Sequence, residues 1–429
     1  MPAPAPRLEW FTDARFGMFV HFGLYSVAAR HEWVMNYEQI DPAAYRRYAE
    51  VFDPDLFDAD ALARTAVAAG ARYVVLTAKH HEGFCLWDSA LTDHTSVTAC
   101  GRDLVREFVD AVRAHGLGVG LYVSLLDWDH PDYTIDRHHP LRHAPDVAER
   151  NAGRDMDRYR TYLHGQVREL LTGYGPVDYV FFDFTEPGVD PDSGLPGKGP
   201  ADWDAEALLA TVRELQPTAV VNDRLGIPAD LVTPEQYQPD RPLEADGVPQ
   251  AWEACQTVNG SWGYHRDNLE SKSPELLVRM LVGSVALGGN MLLNVGPTGR
   301  GEVAPRDRAL LEEIGRWLGH HGRAVHGAGP AEYAPPAGCL YTRRGDRLYL
   351  HVLVWPFGQL HLPGLAGRVR FARLLHDGSE VATTVIDEGQ TALTMQQAGQ
   401  PAGTLTLRLP TVRPDVAVPV VELLLTEGA

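Results

Sequence analysis

Seven short runs of apolar, β-branched and aromatic residues recur over the first ~320 residues of the 429-residue chain, and the segments between them carry a helical period. The runs are Phe16–Gly23, Tyr73–His80, Gly118–Leu125, Asp178–Phe184, Thr218–Arg224, Ala251–Thr257 and Met291–Pro297. Near-continuous apolar runs suit strands covered on both faces, as in a parallel sheet. The intervening segments read as amphipathic helices. Phe57–Ala69 has Asp58 placed to cap it, Asp103–His115 ends at Gly116, and Arg158–Tyr174 is a third. Seven or eight such units predict an α/β chain that closes into a (β/α)8-like, TIM-type barrel. The eighth strand is the least regular, with Asp230–Gln236 as a degenerate candidate.

The pattern changes after about His326. Leu348–Trp355, Arg368–Leu374, Val381–Ile386, Thr404–Leu409 and Val418–Leu425 read as short strands between Gly, Pro and Asp turns. They predict a C-terminal antiparallel β-sandwich over residues 335–429, after a barrel domain over 1–328. The Gly/Pro-rich segment Gly327–Gly338 is the boundary. This module is expected to cover the flank of the barrel, in a structural role.

Charge narrows the partners. With 38 Lys and Arg against 57 Asp and Glu, the net charge is −19, which argues against nucleic acid and against an anionic membrane surface. No apolar stretch reaches the ~18 residues of a membrane span. The start MPAPAPRLEWF lacks the charged and apolar regions of a signal peptide, so a soluble cytoplasmic protein is the expectation. Four well-separated cysteines form no C-x-x-C pair and demand no disulfide.

In a parallel barrel the chemistry sits at the C-terminal ends of the strands. Those ends read His21; Lys79, His80, His81 and Glu82; Tyr122 and Ser124; Asp183; Asn222, Asp223 and Arg224; Trp252 and Glu253; and Asn294, with Trp262 beyond the sixth strand. Aromatic faces beside His, Arg and carboxylates suit a carbohydrate. Glycoside hydrolysis needs two carboxyl groups flanking the scissile bond. Asp183, ending the apolar run YVFF, is the candidate nucleophile; Glu235, Glu244 and Glu253 are candidate proton donors. Lys79, one of three lysines, is a candidate Schiff-base residue, although nothing around it offers to lower its pKa. Trp10, Trp128 and Trp317 read as packing residues, and Asn294 as the holder of the loop around Gly296 and Gly299.

The motifs WFTDARFGMFVHFGLYS, HEWVMNYEQ, YVVLTAKHHEGFCLWDS, GLYVSLLDW, DYVFFDF, VVNDR, TPEQY, WEACQTVNGSWGY and GGNMLLNVGPTGRG run from Trp10 to about Trp317. Together they resemble the α-L-fucosidases of glycoside hydrolase family 29. The resemblance implies an incomplete or distorted barrel, retention of configuration, and neither metal nor other cofactor. It implies a fucosylated oligosaccharide or glycoconjugate as substrate, and family members often form homo-oligomers. By it Asp183 is the nucleophile. Glu235, on a loop 11 residues after Arg224, is favoured as acid/base over Glu253, Glu244 and Asp240. His21, His80 and His81 resemble residues that bond fucose hydroxyls, Glu32 and Trp33 a sugar-contacting pair, and Tyr122 and Arg224 contacts near the nucleophile. Trp262 resembles the aromatic beside the sugar's C5 methyl.

One departure stands out. The family pattern around the nucleophile is W-x-D-G, whereas here Phe181, Phe182 and Phe184 surround Asp183. Phe181 would keep the aromatic wall, and the following loop would differ. The altered neighbours also admit a second reading, a non-catalytic glycan-binding protein on a decayed barrel. A third is a glycosidase for a related 6-deoxy or galacto-configured sugar. The long loops Trp128–Asp155 and Glu186–Trp203 should overhang the rim.

Overall fold

A computed structural model describes residues 6–385 and 400–428. Residues 1–5 of the N-terminal segment and Ile386 of the expected strand Val381–Ile386 lie outside the described residues.

The seven expected strands form one sheet: β1 Phe16–Val20, β2 Tyr73–Lys79, β3 Gly118–Ser124, β4 Tyr179–Asp183, β5 Val220–Val221, β6 Glu253–Thr257 and β7 Asn290–Val295. Their order is β5-β4-β3-β2-β1-β7-β6, and every neighbouring pair is parallel. The two edges meet through the expected degenerate strand. Leu231 bridges Asn222 beside β5, while Val232 and Glu235 bridge Trp252 and Cys255 on the β6 side, all in parallel. Glu253 N donates to Val232 O at 2.9 Å, Cys255 N to Pro234 O at 2.9 Å, and Gln236 N to Cys255 O at 3.0 Å. Pro234 has no N–H to give, which helps explain why this segment forms bridges instead of a regular ladder.

Side chains alternate between two cores. Phe19, Tyr73, Val75, Tyr122, Tyr179, Phe181, Val220, Cys255 and Leu292 share the barrel interior. Their neighbours Met18, Val20, Val74, Leu76, Val180 and Leu293 pack outward against the helices. Helix α1 is Pro6–Ala14, and Phe11 on it plugs the bottom of the interior. Around the outside run α2 Ala59–Ala69, α3 Leu104–Ala114, α4 Met156–Gly173, α5 Ala205–Leu215, α6 Pro274–Ala286 and α7 Pro305–His321. Asp58 caps α2 by accepting from Ala61 N, and Asp103 caps α3 by accepting from Arg106 N. On α3, Leu104, Val105, Phe108, Val109 and Val112 make one buried stripe. Each such side chain contributes about 1.5–3 kcal/mol when fully buried. Gly315 lets α7 touch α2, since a Cβ there would lie only 1.7 Å from Ala68 O.

Two antiparallel sheets follow. The strands are β8 Cys339–Arg344, β9 Arg347–Val352, β10 Gln359–Leu362, β11 Val369–Leu374, β12 Ala382–Val385, β13 Leu405–Arg408 and β14 Val420–Leu425. One sheet has the order β8-β9-β14-β11 and the other β10-β13-β12. Leu350, Leu374, Leu407 and Leu423 meet in the apolar core between them. Strands β8 and β10 are additional to those expected. The first ends in two arginines, and the second is four residues long with only half-buried leucine and histidine positions before Leu362. Trp317 Nε1 donates to Val418 O at 2.8 Å, and Thr342 Oγ1 to Ala324 O at 2.8 Å, tying the sheets to the barrel.

One expectation is reversed. Trp252 and Glu253 stand at the beginning of β6, not at its end. Glu253 therefore lies at the floor of the barrel, fully buried, where it accepts from the hydroxyls of Tyr73 and Tyr179. Its surroundings are those of a structural carboxyl.

Candidate active site

The opposite rim holds a pocket lined by Phe19, His21, Trp33, His80, His81, Tyr122, Phe181, Asp183, Phe184, Arg224, Glu235, Cys255 and Trp262. It is a small, half-open pocket of about 50 Å³. The strand period explains the convergence. Phe19 and His21 are two apart on β1 and its extension, and Phe181 and Asp183 are two apart on β4, so both pairs point inward.

Asp183 is the centre of the polar network. Tyr122 Oη donates to its Oδ2 at 2.7 Å, and Arg224 Nη1 to its Oδ1 at 3.0 Å. Its side chain keeps only 14% of its exposure, and this burial raises its pKa to about 6; Arg224 opposes the rise, Glu235 adds to it, and Tyr122 opposes it. The same Arg224 Nη1 lies 2.8 Å from Glu235 Oε2. One nitrogen thus reaches both carboxylates, so the two bonded oxygens are at most 5.8 Å apart. Arg224 is itself fixed by Thr233, whose Oγ1 accepts from Nε at 2.9 Å and whose O accepts from Nη2 at 3.1 Å.

Two imidazoles have defined tautomers. Asn294 Nδ2 donates to Trp262 O at 2.7 Å, leaving Asn294 Oδ1 to accept from His21 Nδ1 at 2.6 Å. Ser124 Oγ donates to Leu126 O at 2.8 Å, so it accepts from His81 Nδ1 at 2.6 Å. In both rings Nε2 is left as an acceptor, and that of His81 lies 3.9 Å from Asp183 Oδ2. Burial pushes His21 down to about 3 and pushes His80 and His81 well below the ordinary range, so all three are neutral. His80 Nδ1 is buried with no partner among the described residues. Neutral imidazoles with a free lone pair are suited to accepting hydrogen bonds from sugar hydroxyls.

These observations fit the comparisons with known proteins. The family profile described as alpha-L-fucosidase matches residues 3–323. The chain belongs to this family, glycoside hydrolase family 29. Tissue alpha-L-fucosidase of Rattus norvegicus is 32% identical over 381 residues, which span 82% of this chain and 77% of the relative. Among solved structures, alpha-L-fucosidase isoenzyme 1 from Paenibacillus thiaminolyticus superimposes with a TM-score of 0.90 at 42% identity, over 98% of this chain and 99% of the other. A family 29 enzyme from Bacteroides thetaiotaomicron, trapped as a covalent intermediate with 2-fluoro-fucosyl fluoride, gives 0.84 at 26% identity over 99% and 97%.

For the enzyme, an α-L-fucosidase glycoside hydrolase, the structure brings together ten of the eleven expected site residues in the pocket wall. Glu32 is the exception. It is buried behind the wall, where its Oε2 accepts from the backbone N–H groups of Trp262 at 3.0 Å and Gly263 at 2.8 Å. Burial raises its pKa to about 7, with those two N–H groups opposing. Asn294 also differs from expectation: it grips His21 and the Trp262 loop instead of the loop around Gly296.

The chain register shifts between Thr77 and Lys79, where β2 meets β3. That irregularity turns Lys79 outward to Asp127 at 3.2 Å and Gln166 at 2.8 Å, away from the pocket. It also lets the adjacent His80 and His81 both reach the pocket, with ring centroids 4.0 Å apart. Trp128 packs under Trp33 and His81. Among the described residues no group of three or more His, Cys, Asp or Glu has metal-holding geometry. Phe19, Phe184 and Cys255 were missed as wall residues. The inward face of β1 and β6 was the available signal for Phe19 and Cys255; Phe184 follows β4 and had none.

Proposed function

We propose that the enzyme releases terminal α-L-fucosyl residues with retention, through a fucosyl-enzyme on Asp183, with Glu235 as acid/base. The carrying observation is the shared Arg224 nitrogen, which holds oxygens of the two carboxylates within 5.8 Å. A guanidinium bridging the two carboxylates supports a close pair without an intervening water, as retaining glycosidases use.

In the first step an Asp183 oxygen bonds to the anomeric carbon as the bond to the leaving oxygen breaks, and Glu235 gives that oxygen its proton. In the second step Glu235 takes a proton from water, the water oxygen bonds to the anomeric carbon, and Asp183 leaves as carboxylate. Tyr122 and Arg224 favour the ionised nucleophile in a site whose burial disfavours it. His21 and His81 present Nε2, and His80 presents an unpartnered nitrogen, to the ring hydroxyls of a fucosylated oligosaccharide or glycoconjugate. Trp262 and Phe19 face the apolar edge.

Proton NMR of an aryl α-L-fucoside during hydrolysis tests the reading. The α anomer of fucose should form first and then mutarotate. Initial release of the β anomer would overturn retention.

A further inference from the structure

The residue after the nucleophile has a backbone conformation that its side chain disfavours. Phe184 sits at φ +84°, in the left-handed region where a bulky residue is a genuine outlier. Such strain persists only where the surroundings over-determine it. They do so here on both sides. Phe182 N donates to Asn222 Oδ1 at 3.0 Å, Thr185 Oγ1 donates to Arg224 O at 2.8 Å, and Trp203 Nε1 donates to Thr185 Oγ1 at 3.0 Å.

The ring that this conformation delivers stands in the pocket wall, with centroids 5.2 Å from Trp33, 5.1 Å from His81 and 4.6 Å from His138. Trp33 is backed by Trp128, and His138 Nε2 is 3.0 Å from Glu186 Oε2. Phe184 therefore separates the pocket from the polar pair behind it.

Its side of the pocket can be fixed relative to the chemistry. Asp183 Oδ1 faces Arg224 and, through it, Glu235, while Oδ2 faces Tyr122 and His81. Phe184 packs on His81 and Trp33, the first of which the proposed function assigns to a hydroxyl of the fucosyl ring. Through these contacts its ring borders the fucosyl side of the pocket.

We infer that Phe184 is a specificity-determining wall that restricts the enzyme to fucosyl rings unsubstituted on the hydroxyl facing His81 and Trp33. The inference rests on the assignment of Asp183 and Glu235 above. It concerns the sugar being released and is independent of the linkage that is cut.

The test compares 4-nitrophenyl α-L-fucoside with its 2-, 3- and 4-mono-O-methyl ethers, in the wild type and in Phe184→Gly. Glycine adopts the positive φ freely, so this variant relieves backbone strain as it removes the ring. A single methyl group in a fitted pocket is discriminated by about tenfold or more. The wild type should therefore reject one ether by that factor. Phe184→Gly should raise kcat/KM for that ether, relative to the parent glycoside, by about tenfold. Phe184→Leu should give a smaller rise. Wild-type acceptance of all three ethers within about twofold of the parent would overturn the wall, without need of any variant. So would an unchanged ratio in a Phe184→Gly enzyme that still cleaves the parent. Failure of the wild type to cleave the parent glycoside would instead overturn the catalytic reading.

Discussion

Tyr122 donates its phenolic proton to Asp183 Oδ2 at 2.7 Å, reaching across from the neighbouring strand, where it is paired with Phe181. The bond favours the carboxylate over the carboxylic acid. A hydrogen bond to a charged group is worth about 1.5–3 kcal/mol. Tyr122→Phe should therefore lower kcat/KM about tenfold to a hundredfold and raise the pH at which activity appears. Steady-state rates across pH measure both effects. An unshifted profile would mean that the phenol does not act on Asp183.

The pH profile has a sign set by burial. As the proposed nucleophile, Asp183 would attack only when ionised, and burial raises its pKa to about 6. kcat/KM should rise with pH through about 6 in the free enzyme. Arg224 is the largest influence holding that value down. Arg224→Gln should move the acidic limb upward and cut the rate.

Glu235, the proposed proton donor, is held by its chain neighbour. Gln236 sits at φ +57°, its N–H bonds Cys255 O, and its Nε2 donates to Thr257 Oγ1 at 2.8 Å. Glu235 is therefore clamped in a bridge to β6 and is not carried on a loose loop. Glu235→Gln should cost about 10²–10⁴ in kcat/KM on fucosides with alcohol leaving groups, and much less in kcat/KM on nitrophenyl ones, which leave without a proton. Gln236→Ala should show the same leaving-group contrast at about 10- to 100-fold. Equal losses on both substrate types would assign Gln236 a purely structural role.

Glu253 gives a stability prediction. Burial raises its pKa from 4.5 to about 8, with the hydroxyls of Tyr73 and Tyr179 opposing. The folded state then binds this proton more tightly than the unfolded chain. The contribution is complete below 4.5 and is lost as pH rises through about 8, at roughly 1.4 kcal/mol per pH unit. Glu253→Gln should match the wild-type Tm near pH 5 and exceed it near pH 9. Thermal melts across that range check it.

The barrel was legible because both of its faces are buried, which writes seven apolar runs and their helices into the chain. Even the irregular eighth segment was visible, since Asp230–Gln236 falls where a strand is due. What escaped depends on register. AWEACQT has polar residues at both ends, and nothing in it says that Glu253 begins the strand. The Thr77–Lys79 irregularity, which sends Lys79 out and both histidines in, has no mark in YVVLTAKHH. Asp183, Arg224 and Glu235 were legible as chemistry, but the guanidinium that joins the two carboxylates is a tertiary fact. The positive φ of Phe184 is likewise set by contacts far along the chain.

Covalent labelling tests the central claim most directly. Incubation with 2-fluoro-fucosyl fluoride, proteolysis and mass spectrometry should place one fluorofucosyl group on the peptide containing Asp183, and fragmentation should place it on that side chain. Asp183→Asn should take up no label. A stable label on any other residue, or full labelling of Asp183→Asn, would contradict the account.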